Sequence, residues 1–302
     1  MKSSVLELSQ GHPVFPTAEL NDLSRNQGRM AAWRHLLATG GAQALADVSG
    51  AFAIGYSDEG GRVVLAVDRF AINSLCYRVD GQTIRFAARA DELATPSEEI
   101  DPQAIYDYFY FHVIPSPRTI FKNVFRLPAG HYAIFDRGEL TIRRYWTPEF
   151  NPIEKPSFDG LRSEFRQLLA KAVEGQLDGT KPGCFLSGGT DSSTVAGMIG
   201  EVSGKQAATY SIGFEAEGYD EMEYARIAAK RFGTEHHEYY VTPEDLVRSI
   251  STVAQHYDQP FGNSSALPAY YCAAMAKADG VSRILAGDGG DEVEGFEDGH
   301  GV

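Results

Sequence analysis

Hydrophobic and polar positions change their rhythm near residue 150. Ahead of that point the apolar runs are short and strand-like: AFAIGY, RVVLAV, TIRFAAR, HYAIFD and LTIRRYW. The segments DEGG, VDGQ and DRGE lie between several of them, and such Gly/Asp turns predict hairpins. Helical periodicity interrupts the strands near 28–39 and 102–111. This half predicts an α+β domain dominated by antiparallel sheet.

The proline-bearing stretch TPEFNPIEKPS reads as a linker. A helix follows, with Ser157 or Asp159 as cap and Leu161, Phe165, Leu168, Leu169, Ala172 and Val173 on one apolar face. Strands and helices then alternate. GCFL leads to a helix from about Asp191, ATYSIGF to DEMEYARIAAKRFG, and HEYYV to PEDLVRSISTVAQHY. A further helix near 266–279 leads to RILAG. Strand–helix alternation with short connections predicts a parallel sheet covered on both faces. The expected division is a first domain over 1–147, a linker over 148–157 and a second domain over 158–302.

Composition narrows the classes. A chain of 302 residues has room for two domains. Its formal net charge is −14, from 27 basic and 41 acidic side chains, which disfavours nucleic acid or an anionic membrane as a partner. Backbone N–H groups and Mg²⁺ can still hold a phosphate locally. Cys76, Cys184 and Cys272 are scattered, with no CxxC or Cys/His cluster, so reduced thiols are expected rather than a zinc site or disulfides. No apolar run has the length of a signal peptide core or a membrane span, and the expected location is the cytoplasm.

One stretch carries chemistry. CFLSGGTDSS follows an apolar run and opens a helix, so in a parallel sheet it lies at a strand's carboxyl end, where ligands bind. Gly188 and Gly189 allow close backbone approach. The helix start offers unpaired N–H groups and a positive dipole end. Ser187, Thr190, Ser192 and Ser193 add hydroxyls. Asp191 repels phosphate unless a cation intervenes, which suggests Mg²⁺. The loop lacks Gly-Lys-Ser/Thr, so it is not the P-loop of kinases and GTPases. His236 and His237 precede a strand with no ligand-spaced partner, and a structural role is expected for them. Tyr219, Asp220 and Glu221 read as a helix cap.

The pattern SGGxDSS resembles the pyrophosphate loop of the ATP pyrophosphatases. YSIGF at 210–214, then GTEHHEYYV, then ILAGDGGDE at 284–292 resemble the synthetase domain of asparagine synthetases. That resemblance implies a Rossmann-like α/β sheet of the adenine nucleotide alpha hydrolase type, with ATP and Mg²⁺ as cofactors. Carried over, Asp191 and Asp291 would hold the metal. Leu186, Ser187, Ile212 and Gly287 would line the AMP moiety, and Gly188, Gly189, Thr190, Ser192 and Ser193 would hold pyrophosphate. Asp288 would help position the reacting groups, as a residue one methylene shorter than the family's usual glutamate. Residues from about 35 resemble the later part of a class II glutamine amidotransferase domain, through a G-x-F-A strand and a D-R stretch, and HVIPSPRTIFKNVFRLPAGHYAIF resembles the connection into the synthetase domain. The first half would then be an Ntn-type, glutaminase-like remnant.

Two departures accompany the resemblance. Lys2 follows Met1 where the family exposes a catalytic cysteine, and the RGPD and GEIYN-type segments are missing, so glutamine hydrolysis is expected to be absent. After DGGDE the chain reads VEGFEDGHGV, without the family's long helical region and its lysine. The expectation is a truncated member. The implied reaction is ATP-dependent amide formation by adenylation of a carboxylate, aspartate in the parent family, with ammonia or an amine as acceptor. The alternatives are an internal amide-forming enzyme of the β-lactam synthetase or lasso-peptide cyclase type, and a non-catalytic nucleotide-binding remnant. A homodimer, or a partner chain completing the second domain, is left open.

Overall fold

The computed structural model describes residues 7–58, 60–151, 157–214 and 220–290. They form two compact units. The first comprises Met1–Asn151 together with Tyr257–Gly262, and the second Pro152–His256 and Asn263–Val302.

The first unit begins with β1 (Glu7–Gly11), α1 (Ala18–Gln27), α2 (Arg29–Gly40) and a 3₁₀ segment over Gly41–Asp47. It continues through β2 (Phe52–Ser57), β3 (Val63–Val67), β4 (Cys76–Asp80), β5 (Thr83–Ala87), α3 (Pro102–Phe111), β6 (Phe125–Arg126), β7 (His131–Asp136) and β8 (Glu139–Arg144). The hairpins expected at DEGG, VDGQ and DRGE are β2–β3, β4–β5 and β7–β8, all antiparallel. The strands build a five-stranded sheet, β1-β2-β3-β7-β8, and a three-stranded sheet, β5-β4-β6.

β2 and β3 are apolar at nearly every position because both faces of their sheet are covered. Phe52, Ile54, Tyr56, Val64 and Ala66 pack toward Trp33, Leu36 and Phe15. Their neighbours Ala53, Val63, Leu65 and Val67 pack toward Leu75, Tyr77, Ile84 and Phe86 of the second sheet region. The period-2 alternation of a strand thus sorts one run into two cores. Gly55 marks the closest approach: a Cβ there would lie 2.6 Å from the Phe86 ring.

The second unit contains α4 (Phe158–Gln176), β9 (Gly183–Phe185), α5 (Thr190–Ser203), β10 (Ala208–Phe214), α6 (Met222–Phe232), β11 (Glu235–Val241), α7 (Pro243–Ala254), α8 (Ala266–Ala278) and β12 (Ile284–Leu285). The strands are parallel in the order β11-β10-β9-β12. Cys184, Leu186, Ala196, Ile199, Met222 and Ala225 form a core with α5 and α6. Ala208, Tyr210, Cys272 and Ala276 form another with α8. α4 lies outside α5, so of its apolar stripe Val173 is buried while Leu161, Phe165 and Leu168 are exposed. β10 and β11 build outward from one side of β9 and β12 from the other. The order in which strands are added therefore reverses at β9, and a crevice opens beyond its carboxyl end.

Candidate nucleotide site

A cleft of about 540 Å³ occupies that crevice. Its walls come from the strand ends at Leu186, Ser187 and Ile212, the start of α5 at Asp191 and Ser192, and the turn at Gly287–Gly289 after β12. Of the residues expected to bind nucleotide, Leu186, Ser187, Asp191, Ser192, Ile212, Gly287 and Asp288 line it. Gly188, Gly189, Thr190 and Ser193 lie in the same loop and first helical turn without being wall residues. Asp291 lies outside the described residues.

The loop turns on one glycine. Gly188 has φ +90, and a Cβ there would lie 2.5 Å from the Ala225 nitrogen of α6. No side chain but hydrogen fits both constraints. Gly189 is different. Its φ of −68 suits any residue, and a Cβ would meet only Ser187 Oγ at 3.4 Å. Gly189 is the N-cap of α5 and supplies no side-chain bond, so the first N–H groups of the helix have no capping partner. The hydroxyls divide the work unevenly: Ser187 Oγ and Ser192 Oγ hydrogen-bond each other at 3.0 Å, and Gly189 N–H donates to Ser187 Oγ at 3.3 Å. They lock the loop shape.

The turn after β12 wraps Asp191. A Cβ at Gly287 would lie 2.7 Å from Asp191 Cβ, and one at Gly290 would collide with its carboxylate. Two glycines thus let the backbone close over that acid. Among the described residues the charged groups of the cleft wall are Asp191, Glu221 and Asp288, all acidic. The oxygen-only donor set suits a hard cation such as Mg²⁺, which takes one or two carboxylates and leaves its remaining positions to phosphate and water. No group of three or more His, Cys, Asp or Glu side chains is placed to hold a metal by itself among the described residues.

Several wall residues carried no sequence signal: Met222, Ala225, Ser265, Pro268, Ala269 and Cys272. All but Ser265 form the apolar side of the cleft, and apolar residues on helices read only as core. Burial pushes the Cys272 thiol up to about 12, so it serves as a neutral wall atom, not a thiolate. Glu221 also faces the cleft, whereas Asp220 accepts the Met222 N–H at 3.2 Å and caps α6. Tyr219 lies outside the described residues. His236 shares a 3.0 Å hydrogen bond with Thr209 Oγ1. His237 stacks on Tyr210 at 5.0 Å, between Asp279 and Glu235. Both contacts fit the structural role expected of the pair.

The asparagine synthase family profile matches residues 164–296, which contain the whole cleft, and the glutamine amidotransferase domain profile matches residues 32–146. The chain belongs to the asparagine synthetase family. A Methanocaldococcus jannaschii protein provisionally named glutamine-hydrolysing asparagine synthetase 2 is 38% identical over 78% of this chain and 47% of its own. Asparagine synthetase 1 of Bacillus subtilis is 30% identical over 76% of this chain and 37% of its own. The chain thus spans about half, or less, of the length of these relatives. Among solved structures, an NMN synthetase from Francisella tularensis matches 38% of this chain and 50% of its own at 19% identity, with a TM-score of 0.30, too slight a likeness to argue from. Among the described residues no helix is long and apolar enough to cross a membrane.

Proposed function

We propose that the second unit binds ATP in this cleft and activates a carboxylate as its acyl-adenylate for amide formation. The observation that carries the reading is the uncapped start of α5 beside Gly188, set at the reversal point of a parallel sheet. The first main-chain N–H groups have no side-chain cap there, and a pyrophosphate would be stabilised by hydrogen bonds to them and by the helix dipole. Asp191, with Asp291 as the second ligand, would hold Mg²⁺, which supplies charge neutralisation between phosphate oxygens and acids when bound. Ile212, Pro268 and Ala269 offer the apolar side of the cleft to the adenine ring.

In the proposed reaction a carboxylate oxygen attacks the α-phosphorus and the bond to the bridging α–β oxygen breaks. Pyrophosphate leaves toward the helix start. An amine or ammonia then attacks the acyl carbon, AMP leaves, and the nitrogen gives its proton to solvent or an acceptor. Asp288, beside Gly287 in the cleft wall, would position the reacting groups. The chain's contribution is orientation and charge stabilisation, not covalent catalysis. Aspartate is the carboxylate proposed first, since the relatives are named asparagine synthetases. We propose further that the first unit, with its helix–sheet–sheet layers, corresponds to the Ntn-type amidotransferase fold.

The test is pyrophosphate release from Mg–ATP by this chain, with and without aspartate and ammonium. Aspartate-dependent release supports adenylation. ATP binding without release would reduce the reading to nucleotide binding, and no ATP binding would remove it.

A further inference from the structure

Within the second unit, α4 is held by Val173, which joins the core under α5. Leu169 and Ala170 are half-buried beside it, and Arg166 pairs with Glu201 of α5 at 2.7 Å. The apolar side chains nearer its start point elsewhere. Phe158, Leu161, Phe165, Leu168 and Ala172 follow one another at spacings of 3, 4, 3 and 4 residues, the repeat of a helix that packs lengthwise on another helix. At 3.6 residues per turn their stripe is centred roughly 100° around the helix from Val173. All five are exposed, Phe158 at 76% and Leu168 at 59%. Single exposed apolar residues need no partner, but a continuous stripe about four turns long marks an interaction surface.

The charges beside the stripe indicate what covers it. Glu164 and Lys171 stand seven residues apart on one flank, and neither has an ion-pair partner among the described residues. On the other flank the charges are occupied. Arg162 pairs with Asp159 at 3.1 Å and lies over the Phe158 ring at 5.9 Å, and Arg166 is taken by Glu201. One free acid and one free base on a single flank are complementary to their own copy. In an antiparallel pair of α4 helices with a two-fold axis beside Gln167, Phe165 faces Leu168 of the second copy and Leu161 faces its Ala172. Glu164 then meets Lys171 of the second copy, and symmetry makes each contact twice. A parallel pair offers no such match: Glu164 would meet Leu169 and Lys171 would meet Gln176.

We propose that the exposed stripe of α4 is the interface of a two-fold dimer of this chain, in which two α4 helices pack antiparallel. The contact is one helix wide, so the dimer is weak, with a dissociation constant on the order of tens of micromolar.

Sedimentation velocity of the full chain, in a concentration series spanning that value, tests the proposal. The wild type is expected to pass from monomer to dimer. Leu168→Glu replaces an exposed side chain with another good helix former, so the fold is kept while dimerisation weakens by about tenfold or more. Glu164→Lys alone sets like charges together twice and is expected to weaken it by about tenfold. Combined with Lys171→Glu it brings opposite charges together again, and the dissociation constant is expected to return to within about threefold of the wild-type value. A chain that stays monomeric across the series overturns the proposal and leaves the stripe to a different partner. A dimer unmoved by Leu168→Glu puts the interface elsewhere and overturns it too. A double variant as weak as Glu164→Lys alone overturns the antiparallel pairing. None of these readouts involves ATP, so the proposal stands or falls apart from the nucleotide reading.

Discussion

Gly188 and Asp191 stand three residues apart and act in opposite electrostatic senses. The glycine admits a backbone at φ +90 just before the helix start, where an anion is proposed to bind, while the acid places a negative charge beside the same N–H groups. The two are compatible only when a cation lies between acid and phosphate. Asp191→Asn keeps the shape and removes the charge, so Mg²⁺-dependent ATP affinity should fall by about tenfold or more, as expected for the loss of one carboxylate from a small oxygen-donor set. Calorimetric titration with Mg–ATP checks this, and unchanged affinity would refute the metal role. At this scale the cleft's polar half was legible in the string SGGTDSS, since glycine, hydroxyl and acid announce their chemistry. Its apolar half was not, because Pro268, Ala269 and Cys272 share the composition of any helix packed on a sheet.

Elements were legible where turn chemistry or alternation framed them. β2, β3, β7 and β8 follow from Gly/Asp turns between apolar runs, and β9, β10 and α5 from strand–helix alternation. β1 (ELSQG) was not legible, because an edge strand needs no apolar face, and neither was the two-residue β6. α7 shows why apolar periodicity can mislead about which face is inside. Val247 and Ile250 are exposed while Asp245 and Ser249 are buried. Asp245 earns its place through the capping box: it accepts the Thr242 N–H at 3.1 Å and the Tyr239 hydroxyl at 2.9 Å, and its own N–H donates to Thr242 Oγ1 at 3.2 Å. Thr242→Ala removes that last bond and should cost about 1 kcal/mol. Urea unfolding measures the loss.

At the scale of the molecule, the membership of Tyr257–Gly262 in the first unit had no local sign. Arg126 donates to Asp258 from 132 residues away, and no window of sequence contains both. The buried thiols are a second property of the whole. Burial pushes Cys76 up to about 11 and Cys184 and Cys272 up to about 12. An unfolded thiol ionises near 8.5. Between that pH and the folded values the native state binds more protons, so stability is full below about 8.5 and falls as pH rises toward 11 and 12. Urea midpoints should drop across this window, and Cys184→Ala should flatten the fall by removing one thiol. A slope identical in that variant would contradict the assignment.

The uncapped start of α5 has a consequence for how such a site changes over generations. The donors proposed to hold pyrophosphate belong to the main chain, which every residue carries. Thr190 and Ser193 stand in the first turn of α5, outside the cleft wall. Apart from Asp191, the vulnerability is concentrated in positions with no side chain at all. A site of this construction is robust to most replacements and brittle at Gly188, Gly287 and Gly290, where one added carbon closes it.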